Sequence, residues 1–106
     1  MNKPYCNAVG RVWKEAKIVV GDGKKAPYLQ FILEITPRHF NGINFAHRIE
    51  VRTFNAVQQL AQVLKPGTVV SVNGEATPYL MEQDGKPYAN IRIVGCVSIV
   101  EDWSRN

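Results

Sequence analysis

The sequence predicts an all-β domain, a five-stranded barrel with one short α-helix between the third and fourth strands. Three observations predict it. Apolar and polar residues alternate with period two in five separate stretches, the signature of half-buried strands. A single stretch switches to helical spacing. Glycine, proline and aspartate clusters punctuate the stretches where turns are needed.

The first strand covers residues 5–13, where Gly10 invites a bulge or a sharp coil, and it is expected to continue, bent, through residues 17–20. The cluster Gly21-Asp22-Gly23-Lys24-Lys25 precedes the second strand, in which Leu29, Phe31, Leu33 and Ile35 alternate with Tyr28, Gln30, Ile32 and Glu34. Pro37 is expected to stop it. The third strand covers residues 45–54, with Ile49 and Val51 on one side and Arg48, Glu50 and Arg52 on the other. Val57, Leu60, Ala61 and Leu64 then stand at i, i+3, i+4 and i+7, one apolar face of a short helix. Asn55 is expected to cap its first turn, and Lys65-Pro66-Gly67 to end it. The fourth strand, residues 68–79, directs Val70 and Val72 inward and Ser71, Asn73 and Glu75 outward. Gln83-Asp84-Gly85-Lys86 carries the Asp-Gly hairpin signal. Residues 88–100 close the series, with Ile91 and Ile93 expected inside and Tyr88, Asn90 and Arg92 outside. Three strands, a helix and two strands is the order of the oligonucleotide/oligosaccharide-binding (OB) barrel, which binds chain polymers across its middle strands and adjacent loops.

Length and composition agree. The chain has 106 residues, 45% of them hydrophobic and 21% charged, enough apolar material for one core. Residues 1–106 are read as a single domain, with 103–106 as a short flexible end. Neither a secretory signal nor an apolar run of membrane-spanning length is read, so the expectation is a cytoplasmic protein with no membrane partner. Cys6 and Cys96 form no metal-binding spacing with each other or with His39 and His47. They are expected as small buried residues, with a disulfide open if the first and last strands are neighbours.

The net charge is +4 and the pI about 9.3, which suits a polyanionic partner and equally a solvated face. Its placement is uneven. Residues 1–25 carry six bases and two acids, whereas seven bases balance seven acids from Ala26 onward.

Ala8-Val9-Gly10-Arg11-Val12 resembles the opening strand of bacterial-type single-stranded DNA-binding proteins, and His47-Arg48-Ile49-Glu50-Val51, followed by Asn55 and the short helix, resembles their third strand. Residues 64–74, a Lys-Pro-Gly turn feeding a valine-rich strand that ends in glycine, are similar to the family's stretch after the helix. The Asp84-Gly85-Lys86 hairpin leading into Tyr88 completes the likeness, which extends over nearly the whole chain. The resemblance implies an OB barrel that coats single strands in replication, recombination and repair, assembles as a homo-oligomer, uses no cofactor and performs no catalysis. There are departures. Where the family places tryptophans in the third strand and in the last hairpin, Ala46 and Met81 stand here, with Phe45 and Tyr79 nearby. Near the end of the second strand, where an aromatic is frequent, the chain has His39 and Phe40. The family's tail with an acidic tip has no counterpart in Glu101-Asp102-Trp103-Ser104-Arg105-Asn106, which leaves recruitment of replication or repair proteins through such a tail unsupported. A tailless barrel of this length also resembles the related primosomal replication proteins, which implies a dimer, as does the second-strand stretch Leu29-Gln30-Phe31-Ile32-Leu33-Glu34.

Binding single strands without reading sequence requires a cationic track for phosphates and flat side chains for unstacked bases. The candidate track is Arg11, Lys14, Lys17, Lys24, Lys25, Arg48, Arg52 and Arg92. The candidate platforms are Trp13, Tyr28, Phe40, Phe45, Tyr79 and Tyr88, and His47 is a further candidate contact to a phosphate or base. Each has a structural alternative. Phe45 shares a strand face with Ile49 and Val51 and can pack in the core. Trp13 can cover the barrel mouth, His47 can be tied to a neighbouring backbone, and one of Arg48 and Arg52, which flank Glu50, can be taken up in a cross-strand ion pair. Phe31 is assigned to the core. Single-stranded DNA is the expected partner, with RNA open.

Two other classes compete. An enzyme would need a nucleophile and base, paired carboxylates or a metal cluster; the sequence has no GxSxG, HExxH or phosphate loop, and Glu34, Glu50 and Glu75 are spread over three strands. A barrel that binds only protein would show no salt-dependent affinity for oligo-dT.

Overall fold

The structure is a computed structural model. It describes residues 5–23, 25–40 and 43–100, with the side chains of 36–40, 43–47, 81, 83 and 88 outside that description. In chain order the elements are β1 (Tyr5–Val12), β2 (Lys17–Val19), β3 (Tyr28–Phe40), β4 (Ile43–Thr53), α1 (Val57–Val63), β5 (Val69–Gln83) and β6 (Lys86–Ile99).

The sheet runs β1-β5-β6-β4-β3-β2, and a second pairing of β1 with β3 closes it into a barrel. Closure depends on Gly10. It lies opposite Val70 on β5 and opposite Ile35 on β3, so this one residue belongs to two ladders. A Cβ there would run into the Glu34 carbonyl, which explains why the strand bends at a glycine. The other seam is the parallel pairing of β4 with β6, Glu50 to Arg92, Val51 to Ile93 and Arg52 to Val94. The five long strands are those expected from the alternation. The segment expected as a bent continuation of the first strand is instead the separate strand β2, which pairs with Tyr28–Gln30 at the start of β3.

Pro37 does not stop the second long strand. β3 continues to Phe40, and the register against β4 shifts between Ile35 and Arg38. A bulge tolerates the missing N–H that a regular ladder would require.

Alternation places one residue in two inside. Val12, Leu29, Phe31, Leu33, Ile49, Val51, Val70, Val72 and Ile93 form the core, and Leu60 and Leu64 bring the apolar face of α1 onto it. Phe31 is buried as assigned. Ile91, expected inside, is exposed, and so is Leu80. Both lie where the paired arms of β5 and β6 extend past the barrel, so the inward face has no opposite wall there. At the hairpin tip Asp84 and Gly85 both have positive φ, 54° and 77°, the conformation that a two-residue primed turn needs.

Asn55 does not cap α1. The N-cap is Ala56, in the left-handed region with φ 52° and no side-chain cap bond. The Asn55 amide nitrogen donates instead to Cys96 Sγ at 3.0 Å. Beyond the helix, Gly67 turns with φ 94° and its N–H donates to the Val12 carbonyl at 2.8 Å, joining the helix exit to the end of β1. The cysteines also differ from expectation. Both are free; Cys6 is half-buried against the core and Cys96 is exposed. Strand β5 separates β1 from β6, which removes the disulfide that neighbouring strands would have allowed.

Candidate nucleic-acid interface

The outward residues of β3, β4, β6 and β5 fall into rows set by the register. Arg11, Glu34 and Arg48 form one row across β1, β3 and β4. Ile32, Glu50, Arg92 and Thr77 form a second across β3, β4, β6 and β5. Lys17, Gln30, Arg52, Val94 and Glu75 form a third, starting on β2. One face therefore collects cations from four strands, β1, β2, β4 and β6, with Glu34, Glu50 and Glu75 among them.

Three rings stand among these rows, each with a guanidinium on it. Arg48 Cζ lies 3.8 Å from the ring centroid of Trp13, Arg52 Cζ lies 4.9 Å from that of Tyr28, and Arg92 Cζ lies 4.5 Å from that of Tyr79. Cation–π attraction of this kind is worth about 0.5–1 kcal/mol at exposed sites. Trp13 also carries Lys14 Nζ at 4.4 Å, and its backbone N–H donates to the Ile32 carbonyl at 2.9 Å, which holds the residue beside β3. Neither ring of the middle strands is buried: Tyr28 and Tyr79 are half-exposed, as alternation away from the core demands.

Each of these arginines also meets a carboxylate. Arg48 Nε donates to Glu34 Oε2 at 3.1 Å, Arg52 Nε donates to Glu50 Oε2 at 2.6 Å, and Arg92 Nε donates to that same Glu50 oxygen. The cross-strand ion pair held open for one of Arg48 and Arg52 is found at Arg48. Arg52 pairs with Glu50 along its own strand, Arg48 crosses to Glu34, and the cross-strand partner of Glu50 is Arg92. Chemically, the face consists of planar cations pressed on π-faces and pinned by acids, surfaces on which a nucleobase can stack and from which a phosphate can accept.

The other candidates divide by position. Lys14 and Lys17, with Glu15, Gln30 and Phe31, line a shallow cavity of about 180 Å³ beside Trp13. Lys25 is exposed in the turn before β3, its N–H donating to the Asp22 carbonyl at 3.3 Å, and Lys24 lies outside the described residues. Phe40 ends β3, Phe45 pairs with Arg38 and His47 with Ile35 between β3 and β4, and Tyr88 lies opposite Met81 on the last hairpin. Their side chains lie outside the described residues. Sequence reasoning missed Phe54, which is exposed and tilts against Tyr28 with centroids 5.4 Å apart. Its position two residues beyond Arg52, on the same outward parity, was the available signal. Glu34 also escaped notice as an arginine partner, because that pairing depends on cross-strand register.

No protein-family model matches the sequence, and no curated protein matches it either. Solved structures do. The small single-stranded DNA-binding protein of Streptomyces coelicolor superposes with a TM-score of 0.77 at 20% identity, covering 100% of both chains. The Plasmodium falciparum SSB, solved in complex with ssDNA, gives 0.69 at 22% identity over 95% of this chain and 100% of its own. A mitochondrial single-stranded DNA-binding protein of S. cerevisiae gives 0.64 at 24% identity over 94% and 97%. What the chain shares with them at this identity is the fold: it is an OB barrel of the form found in single-stranded DNA-binding proteins.

Proposed function

We propose that this protein binds single-stranded DNA without reading its sequence, by stacking bases on Trp13, Tyr28 and Tyr79 while phosphates follow the cations beside them. One observation carries the reading: three aromatic rings, each bearing a guanidinium, share the outward face of the strands on which OB barrels bind chain polymers. The likeness of fold to proteins named for binding single strands supports it. The protein acts here as a binder and not as a catalyst, in replication, recombination or repair, and it self-associates so that several short faces form one longer track.

The test is anisotropy of labelled oligo-dT against a duplex of equal length, across a salt series. Strong preference for the single strand, with affinity that falls as salt rises, is the expected result. Equal binding of both forms, or no binding of oligo-dT, would leave the protein-only module as the better reading. Cleavage of the strand in Mg²⁺ would favour a nuclease.

A further inference from the structure

Glu50 lies at the centre of the face just described, an odd place for an acid if the ligand is a polyanion. Its side chain is only 10% exposed. Its neighbours in the row are Ile32 and Thr77, both uncharged, and Arg92. One of its oxygens accepts from both Arg52 and Arg92, the same two guanidiniums that lie on Tyr28 and Tyr79. A carboxylate and a phosphate present similar oxygen geometry to an arginine fork.

We propose that Glu50 is an internal stand-in for a phosphate, a specificity-determining residue that an incoming strand must displace from Arg52 and Arg92. The inference rests on the single-strand reading. Without nucleic acid, Glu50 offsets one of the two positive charges of Arg52 and Arg92 and holds both planes against the rings. A strand that brings only charge competes with a carboxylate already in place and gains little. A single strand brings charge together with unpaired bases, and stacking on Tyr28 and Tyr79 supplies what the exchange of anions does not. A duplex keeps its bases paired and lacks that second contribution. Glu50 thereby converts a face that would hold any polyanion into one that favours exposed bases.

The experiment compares wild type with Glu50→Gln on oligo-dT and on a duplex of equal length, each over a salt series. Gln keeps the size and one acceptor oxygen but not the charge. The expected result is tighter binding of both forms at low salt. The duplex should gain more, so that preference for the single strand falls roughly tenfold as the like-charge penalty is removed. The salt slope on oligo-dT should steepen by up to about 0.7, from the one unit of positive charge that the carboxylate no longer offsets. Weaker binding of oligo-dT at every salt concentration with an unchanged slope would overturn the proposal and leave Glu50 a residue that only positions the arginines. Unchanged binding of both forms would overturn it as well. Failure of the single-strand reading is seen separately, in wild type alone, as no preference for oligo-dT, and this inference falls with it. If Glu50→Gln lowers the melting temperature too far to assay, Glu34→Gln poses the same question at Arg48, in a pair more open to solvent, with an expected change in slope of about 0.7.

Discussion

Tyr79 and Tyr28 each present one ring to an arginine and stand half-exposed on the outward face. Replacing either by Ala removes the π-surface and leaves the neighbouring charge. Each substitution should therefore weaken oligo-dT binding by about 1–3 kcal/mol at every salt concentration with little change in slope, as read by anisotropy. Tyr79→Phe keeps the ring and should bind nearly as well as wild type. Arg48→Lys probes the guanidinium itself. Lysine keeps the charge but offers no plane to lie on Trp13 and no fork for Glu34, so affinity should fall while the salt slope stays close to that of wild type.

At the scale of elements, the long β5–β6 hairpin is set by its glycines. Gly74 and Gly95 lie opposite one another, and a Cβ on either would meet backbone of the facing strand, Val94 from Gly74 and Asn73 from Gly95. Neither obstacle is the flexible end of a side chain. Gly95→Val should destabilise the protein by about 1–3 kcal/mol, the usual cost of overpacking, read as a lower urea midpoint. At the tip, Gly85 has open space around it but a φ of 77°. Gly85→Ala should cost roughly 1–2 kcal/mol through backbone strain alone. The two glycines thus fail for different reasons, close approach at Gly95 and handedness at Gly85. The Asp-Gly signal was legible in the sequence because turn handedness is a local property. The facing glycines were not, since their opposition arises from the register of two strands.

For the whole molecule, one core joins all five long strands to the helix, so damage at its centre is felt everywhere. Leu33 is fully buried, and Leu33→Ala should cost about 2–5 kcal/mol, with every spectroscopic probe of unfolding shifting together. The charge of the molecule is also a global property. Of the bases in the first 25 residues, Lys17 pairs in register with Gln30 and Lys14 rests on Trp13, both beside the ring-bearing face. The double variant Lys14→Ala, Lys17→Ala should flatten the salt slope on oligo-dT by about 1.4.

Much of this protein was decided along the chain. Period-two alternation separates inside from outside one residue at a time, so Leu29, Phe31, Leu33, Val70 and Val72 announced the core, and Tyr28, Arg48, Arg52 and Arg92 announced the outward face. The helical spacing of Val57, Leu60, Ala61 and Leu64 likewise placed α1. Other features needed the closed barrel. Glu34 meets Arg48 and Glu50 meets Arg92 because pairing between strands distant in sequence brings them opposite each other. Ile91 follows the inward parity yet is exposed, because its hairpin outruns the barrel wall. Asn55 has the chemistry of a cap, but the chain turns one residue later and sends its amide to Cys96. Alternation assigns a side to each residue and carries no information about which strand will lie across from it; that is set by closure at Gly10 and by the register shift near Pro37, which depend on the whole sheet.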